Sequence, residues 1–174
     1  MKIALDVLSG DFAPMSNIEG AMTYLNLYGE SSADLILVGD KNTIKSALQD
    51  YTYDNTKVQI LHTTEVVDMH EKPSRIFKKK PDSSLVKSIQ LVKDNVANAI
   101  VSSGNTGALL ATSLFLIGKI PGIRRPTFAP FIPSNKGGFI LCDAGANVDS
   151  KPQHLVQFSL MASAYMEHLE NRPN

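Results

Sequence analysis

Three polar, glycine-bearing stretches could do chemistry: Asp6 with Ser9-Gly10-Asp11, Ser102-Ser103-Gly104-Asn105-Thr106-Gly107, and Asp143-Ala144-Gly145-Ala146-Asn147 with Asp149. The middle one carries the sharpest signal. It leaves an apolar run, Ala99-Ile100-Val101, and enters a helical pattern, so its glycines permit a tight turn and close backbone approach. The first amides of a helix have no intrahelical partner, and the helix dipole favours negative charge beside them. Ser102, Asn105 and Thr106 add neutral donors. Inorganic phosphate, or the oxyanion of an acyl-transfer intermediate, suits such a cradle. Plain helix capping by Asn105 or Thr106, with Gly107 small for packing, accounts for the same residues. The stretch is neither the lysine-bearing phosphate loop nor a dinucleotide fingerprint.

Charged residues elsewhere widen the choice. Lys78-Lys79-Lys80 precedes Pro81-Asp82-Ser83-Ser84, a second helix start. One lysine could reach phosphate while the others attract an acidic protein, with Ser83 and Ser84 completing the cradle; a solvated lysine face is the plainer alternative. Arg124 and Arg125 carry the same two readings. Asp6, Asp11, Asp143 and Asp149 could surround magnesium, but their spacing does not demand it, and no metal is expected. Such aspartates more often brace turns. Of four histidines only His154, near a helix start, is a pocket candidate. The single cysteine, Cys142, sits in an apolar run as an inert small hydrophobe, with no disulfide or cysteine cage to form.

These residues must be held by an α/β scaffold. Apolar runs Ile3–Leu8, Leu35–Val38, Val58–Leu61 and Ala99–Val101 read as strands buried on both faces. Between them lie helical patterns: one to about Tyr28 capped by Ser16 or Asn17, Thr43–Gln49, one from Ser83 or Ser84 to Lys93, and Asn105–Ile117. Residues 62–83 are irregular, and Pro81 stops any helix through the lysines. Runs at Phe128–Pro133 and Gly138–Cys142, linked by Ser134-Asn135-Lys136-Gly137, predict a hairpin, and Gln153–Leu169 a last helix before the connector Asn171–Asn174. The expected class is a three-layer, open, mixed and mostly parallel sheet with helices on both faces. Ligands of such sheets bind outside the carboxyl ends of the strands, where all three polar stretches fall.

Composition narrows the class further. At 43% hydrophobic and 20% charged residues, the 174-residue chain is long enough for one sizeable core. Seventeen cations balance seventeen acids, which argues against a nucleic-acid partner. No signal peptide or spanning apolar run is evident, so the cytoplasm is the default compartment.

The residues resemble those of the phosphate acyltransferases of bacterial phospholipid synthesis. The resemblance rests on Ile3-Ala4-Leu5-Asp6, Gly10-Asp11, Ala13-Pro14, Leu37-Val38-Gly39-Asp40, Lys79-Lys80 with Asp82-Ser83-Ser84, Leu91-Val92-Lys93, Val101-Ser102 with Gly104 to Leu109, and Asp143 to Asp149 with Gln157-Phe158. It implies that residues 1–174 are the N-terminal part of a single α/β domain, with a fold like that of the isocitrate/isopropylmalate dehydrogenases. It further implies transfer of a fatty acyl group from acyl carrier protein to inorganic phosphate, without a cofactor. Expected partners are acyl carrier protein and a second copy in a homodimer, with peripheral contact at the inner face of the membrane through a C-terminal half.

On that resemblance, Ser102, Asn105, Thr106 and Lys79 are the expected catalytic residues. Gly104, Gly107, Lys78, Lys80, Ser83 and Ser84 hold phosphate; Asp6, Gly10, Asp11, Asp143, Gly145, Asn147, Asp149 and His154 shape the pocket. The sequence departs from the family's pattern at Ser9, Phe12, Ser103 and Pro81. Phe12 replaces a common histidine, so no proton carrier stands there. Phosphate acetyl- or butyryltransferases acting on coenzyme A thioesters, dehydrogenases of similar fold, and an inactive binding fragment are the rival readings.

Overall fold

The computed structural model describes residues 1–135, 137–145, 147 and 149–169. Two compact units divide the chain, Met1–Ile117 and Gly118–Asn174. In the first, β1 (Lys2–Asp6), β2 (Asp34–Gly39), β3 (Val58–His62) and β4 (Ala99–Ser102) form one parallel sheet in the order β3-β2-β1-β4. Register sets Leu5 beside Leu37 on one side and Val101 on the other. The Leu35-Ile36-Leu37-Val38 run of β2 is buried throughout, as a strand covered on both faces requires.

Alternation explains the layers. Leu35 and Leu37 pack with Ile18, Met22 and Leu25 of α1 (Met15–Tyr28) and Ile44 and Leu48 of α2 (Lys41–Leu48). Ile36 and Val38 point the other way, to Leu91 and Val92 of α4 (Ser84–Lys93). Each such fully buried aliphatic side chain stabilises the fold by about 1.5–3 kcal/mol. Helices therefore cover both faces.

The chain runs outward from β1 through β2 to β3. It then follows residues 63–83, with a 3-10 turn at Pro73–Arg75 and the short α3 (Ile76–Lys79), into α4. From α4 it returns to place β4 on the free side of β1, and α5 (Thr106–Leu116) follows. Neighbouring strands β1 and β4 thus have diverging connections, the switch point at which open α/β sheets bind ligands.

The expected caps of α4 and α5 hold, whereas α2 starts two residues before the expected Thr43 under an Asp40 cap, and β1 ends at Asp6 instead of Leu8. Ser83 caps α4 and Asn105 caps α5, accepting from the Val86 and Ala108 N–H groups. Lys80 is the C-cap that ends α3 ahead of Pro81. The cap of α1, expected at Ser16 or Asn17, is instead Pro14, which makes no side-chain cap bond. Asn17 is drawn away because its amide reaches back to the loop after β1.

In the second unit, β5 (Phe131–Ser134) and β6 (Gly137–Ile140) form an antiparallel hairpin, and α6 (Pro152–Leu169) follows. The strands are shorter than the runs predicted over 128–133 and 138–142, because the Phe128 N–H goes to a carboxylate instead of the ladder. Parallel and antiparallel pairing both occur, as a mixed, mostly parallel α/β chain requires; among the described residues they lie in two sheets. Lys136 of the predicted hairpin link, Ala146 and Val148 of the Asp143 loop, and the Asn171–Asn174 connector lie outside the described residues. No helix of the described residues is long and apolar enough to cross a membrane.

Candidate functional site

The exits of β1 and β4 are laced together at the switch point. The Ser103 hydroxyl donates to the Ser9 carbonyl at 2.7 Å, and its oxygen lies 3.0 Å from Asn17 Oδ1. Asn17 Nδ2 donates to the Val7 and Ser9 carbonyls at 2.9 and 2.8 Å. Gly104 passes so near Ser9 that a Cβ on it would lie 2.5 Å from the Ser9 Cβ. Gly10 has φ +111°, and the Ser103 hydroxyl occupies the place of its missing Cβ. Side chains at either position would push the two loops apart.

Beneath this lacing lies Asp6, fully buried. Its Oδ2 accepts the Ser102 hydroxyl at 2.7 Å, and Ser102 Oγ in turn accepts the Gly104 N–H at 3.2 Å. Asp6 Oδ1 and the buried Ser9 hydroxyl have no hydrogen-bond partner among the described residues. Ser102 therefore faces inward, and its part is to set the turn.

Asn105 is 8% exposed and fully used. Its Oδ1 accepts the Ala108 N–H at 3.0 Å, while Nδ2 donates to the Met69 and Glu71 carbonyls at 3.0 and 3.1 Å. Its side chain joins the start of α5 to residues 68–71 and has no spare donor. The Thr106 and Gly107 N–H groups, by contrast, find no acceptor among the described residues, and Thr106 is exposed. Two amides and an exposed hydroxyl at a helix N-terminus, on the switch point of a parallel sheet, make a candidate anion cradle.

Residues 63–83 make a strap beside it. Pro73 packs where a Cβ on Gly107 would come within 2.7 Å of its Cγ, and Phe77 stacks on Phe115 of α5 with ring centres 3.6 Å apart. Lys80 Nζ pairs with the Glu71 carboxylate and donates to the Val66 carbonyl at 2.6 Å. That bond from Lys80 holds the Glu71 carboxyl below its ordinary pKa. Asp82 accepts the Thr64 hydroxyl at 2.7 Å and N–H at 2.9 Å, and these bonds lower its pKa likewise. Lys80 is thus a strut. Ser83 and Ser84 are buried under the strap, Ser83 donating to the Lys80 carbonyl at 2.8 Å. Lys78, Lys79 and Asp11 are exposed.

The remaining expected site residues belong to the second unit. Asp143 is half-buried, and its two oxygens accept the Thr127 hydroxyl at 2.9 Å, the Phe128 N–H at 2.8 Å and the Asn147 N–H at 2.7 Å. Burial alone would raise its pKa; the Phe128, Asn147 and Thr127 bonds outweigh that and keep it low. Asn147 Nδ2 also donates to the Pro126 carbonyl at 3.1 Å. Gly145, at φ +85°, turns the loop back on itself. Asp149 is exposed, and the Arg125 guanidinium reaches its carbonyl at 3.5 Å. Arg124 is tied to Gln153 and Gln157 of α6. His154 is buried, and its Nδ1 accepts the Lys151 N–H at 3.2 Å. Burial first, then the charges of Arg125, Lys151 and Arg124, push its pKa down.

The spacing gave no sign that Asn17, Glu71 and Asp82 brace this region, since their partners lie from 8 residues, for Asn17 and Ser9, to 86 residues, for Asn17 and Ser103, away. Among the described residues no group of three metal-ligating side chains gathers.

A parallel sheet covered by helices on both faces is a fold with a solved counterpart. The chain is similar in fold to the EutD phosphotransacetylase from Staphylococcus aureus, with a TM-score of 0.67 at 15% identity over 95% of this chain and 52% of that one. In sequence it is 44% identical over 175 residues to a phosphate acyltransferase of Dictyoglomus turgidum, covering 100% of this chain and 51% of that protein. It is 45% identical over 166 residues to one of Clostridioides difficile, covering 95% and 48%. The model of the fatty acid synthesis protein family matches residues 1–174, and the chain belongs to that family. It spans about half the length of the curated relatives it matches.

Proposed function

We propose that the protein carrying this chain transfers a fatty acyl group from acyl carrier protein to inorganic phosphate, supplying acyl phosphate for phospholipid synthesis. The relatives named phosphate acyltransferase support the reaction class. The observation that carries the site assignment is the pair of unpaired amides on Thr106 and Gly107. There the phosphate dianion is held with one oxygen aimed at the thioester carbon. That oxygen forms the new C–O bond, the C–S bond breaks, and the phosphate's proton passes to the departing carrier thiolate. Phosphate already has nucleophilic oxygens, so the protein's work is positioning and charge stabilisation. Ser102, Gly104, Asp6, Gly10 and Asn105 hold the cradle's shape. The chain is read as the N-terminal part of one domain of the isocitrate/isopropylmalate dehydrogenase type, in a homodimeric cytoplasmic enzyme with peripheral membrane contact.

Thr106→Pro in the intact enzyme tests the cradle. Proline is well tolerated at the first position of a helix, and Asn105 before it is already extended at φ −61° and ψ 106°. The variant keeps the helix and removes one N–H, so KM for phosphate should rise about 10- to 100-fold, the worth of a hydrogen bond to a charged group. Thr106→Ala, which keeps the amide, should lose less. A proline variant that melts normally and binds phosphate as before would sink the assignment. Supplying acyl carrier protein and coenzyme A thioesters side by side separates this reading from an acetyltransferase-like one.

A further inference from the structure

The strap over residues 68–80 holds five cations, Lys72, Arg75, Lys78, Lys79 and Lys80, against two carboxylates, Asp68 and Glu71. The whole chain is neutral, so the rest of it is net acidic and the excess is local. Lys80 and Glu71 neutralise each other inside the strap. Lys72, Arg75, Lys78 and Lys79 are exposed, and among the described residues none forms a contact ion pair, Lys79 acting on Glu71 only through its field. All four fall within the short 3-10 turn and α3 and the residue before them, Lys72–Lys79, where Ile76 is the buried residue.

This ridge is rigidly borne. Asn105 holds the carbonyls of Met69 and Glu71, Pro73 abuts Gly107, and Phe77 stacks on Phe115. Its Lys72–Arg75 end is therefore rooted at the first turn of α5, where the Thr106 and Gly107 amides find no acceptor among the described residues, and its Phe77 end at the last turn. Four unpaired cations over residues 72–79 carry more charge than one small dianion neutralises. They match a row of carboxylates.

We infer that the Lys72–Lys79 ridge is a docking surface for an acidic protein that carries the acyl thioester, seating it beside the α5 cradle. This rests on the acyl-transfer reading above. Charge complementarity of this kind acts on encounter and orientation, and salt screens it.

The test uses the intact enzyme and its double variant Lys72→Glu with Arg75→Glu, neither residue lying in the phosphate cradle. Binding of acyl carrier protein, measured by calorimetry without phosphate at low and high salt, should weaken about 10- to 50-fold at low salt and lose most of its salt dependence. KM for phosphate should stay within about twofold, since the altered charges act on carrier encounter. The charge-keeping pair Lys72→Arg with Arg75→Lys should bind normally, which guards against misfolding. Unchanged carrier binding in the glutamate variant overturns the docking surface. So does an equal loss with coenzyme A thioesters, which would assign the ridge to nucleotide phosphates, or binding of anionic phospholipid vesicles in place of the carrier. If the wild-type enzyme binds the carrier through this ridge yet makes no acyl phosphate, the reaction assignment fails and the surface stands.

Discussion

The Ser102–Gly107 turn and the Asp143–Asn147 loop share a vocabulary of small residues, glycine, asparagine and a nearby aspartate, yet they treat their backbone donors in opposite ways. Asp143 turns both oxygens on its own surroundings, taking the Phe128 and Asn147 N–H groups and the Thr127 hydroxyl. Its loop is closed by its own carboxylate. In the Ser102–Gly107 turn the aspartate lies below, and it reaches the Gly104 N–H only through Ser102. Asn105 faces away, to Met69 and Glu71. Ser102 and Asn105 are thus occupied elsewhere, and the Thr106 and Gly107 N–H groups find no acceptor among the described residues. A polar glycine loop keeps its amides available when its own acceptors are engaged in another direction.

The sharpest way to break this contrast is Asn105→Ala. The substitution removes the α5 cap and leaves the Met69 and Glu71 carbonyls without their donor, so it should cost about 3 kcal/mol of stability. Freed of the link, the strap should also loosen, and KM for phosphate should rise. Asn105→Asp keeps the cap oxygen and loses the donors, and should fall between. Urea unfolding of the three proteins checks the order. If alanine and aspartate were equally mild, the tie between cradle and strap would carry no weight.

The strand runs were legible because parallel strands buried on both faces must be continuous and apolar, as Leu35–Val38 is. The Ser83 and Asn105 caps were legible because capping is local. What escaped notice was non-local. Asn17 has the look of a cap, but its amide is claimed by Val7 and Ser9, a choice that only the closeness of α1 to the β1 exit makes favourable. The strap reads as irregular because its order comes from Lys80–Glu71, Asp82–Thr64 and Asn105–Met69, pairs with no periodic trace. The three lysines look equivalent in sequence; depth separates Lys80, drawn under the strap, from Lys78 and Lys79 in solvent. Ser83 and Ser84, expected to line a cradle, are instead buried, since the Glu65–Ser83 bridge draws the start of α4 beneath the strap.

Asp143→Ala sharpens the other side of the comparison. It leaves the Phe128 and Asn147 N–H groups without acceptors in a half-buried loop, a loss of about 2 kcal/mol local to the second unit. Amide exchange at Phe128 and Asn147 should accelerate well before exchange in β2. The wild-type loop should respond to acid in a defined direction. A carboxyl whose folded pKa is depressed contributes stability that is complete above its ordinary value of 3.8 and is lost as pH falls through the depressed value. Protection of the two amides should therefore persist at pH 4 and disappear only below it. Loss at pH 5 would mean that the loop is not closed by this carboxylate.

The smallest effect concerns His154, which closes the start of α6 much as Asp143 closes its loop. Its Nδ1 can accept the Lys151 N–H only while unprotonated. Burial and the charges of Arg125, Lys151 and Arg124 disfavour the imidazolium, so the folded pKa lies below the ordinary 6.5. The sign is opposite to that of a histidine gaining an acid partner: the neutral ring's contribution is complete above 6.5 and is lost as pH falls toward the depressed folded value. A nuclear magnetic resonance titration should place the His154 midpoint below that of free imidazole side chains, and the Lys151 amide should shift with it. A midpoint at or above 6.5 would show that the ring donates at Nδ1, and that the start of α6, unlike the Asp143 loop, is held by something other than its own side chain.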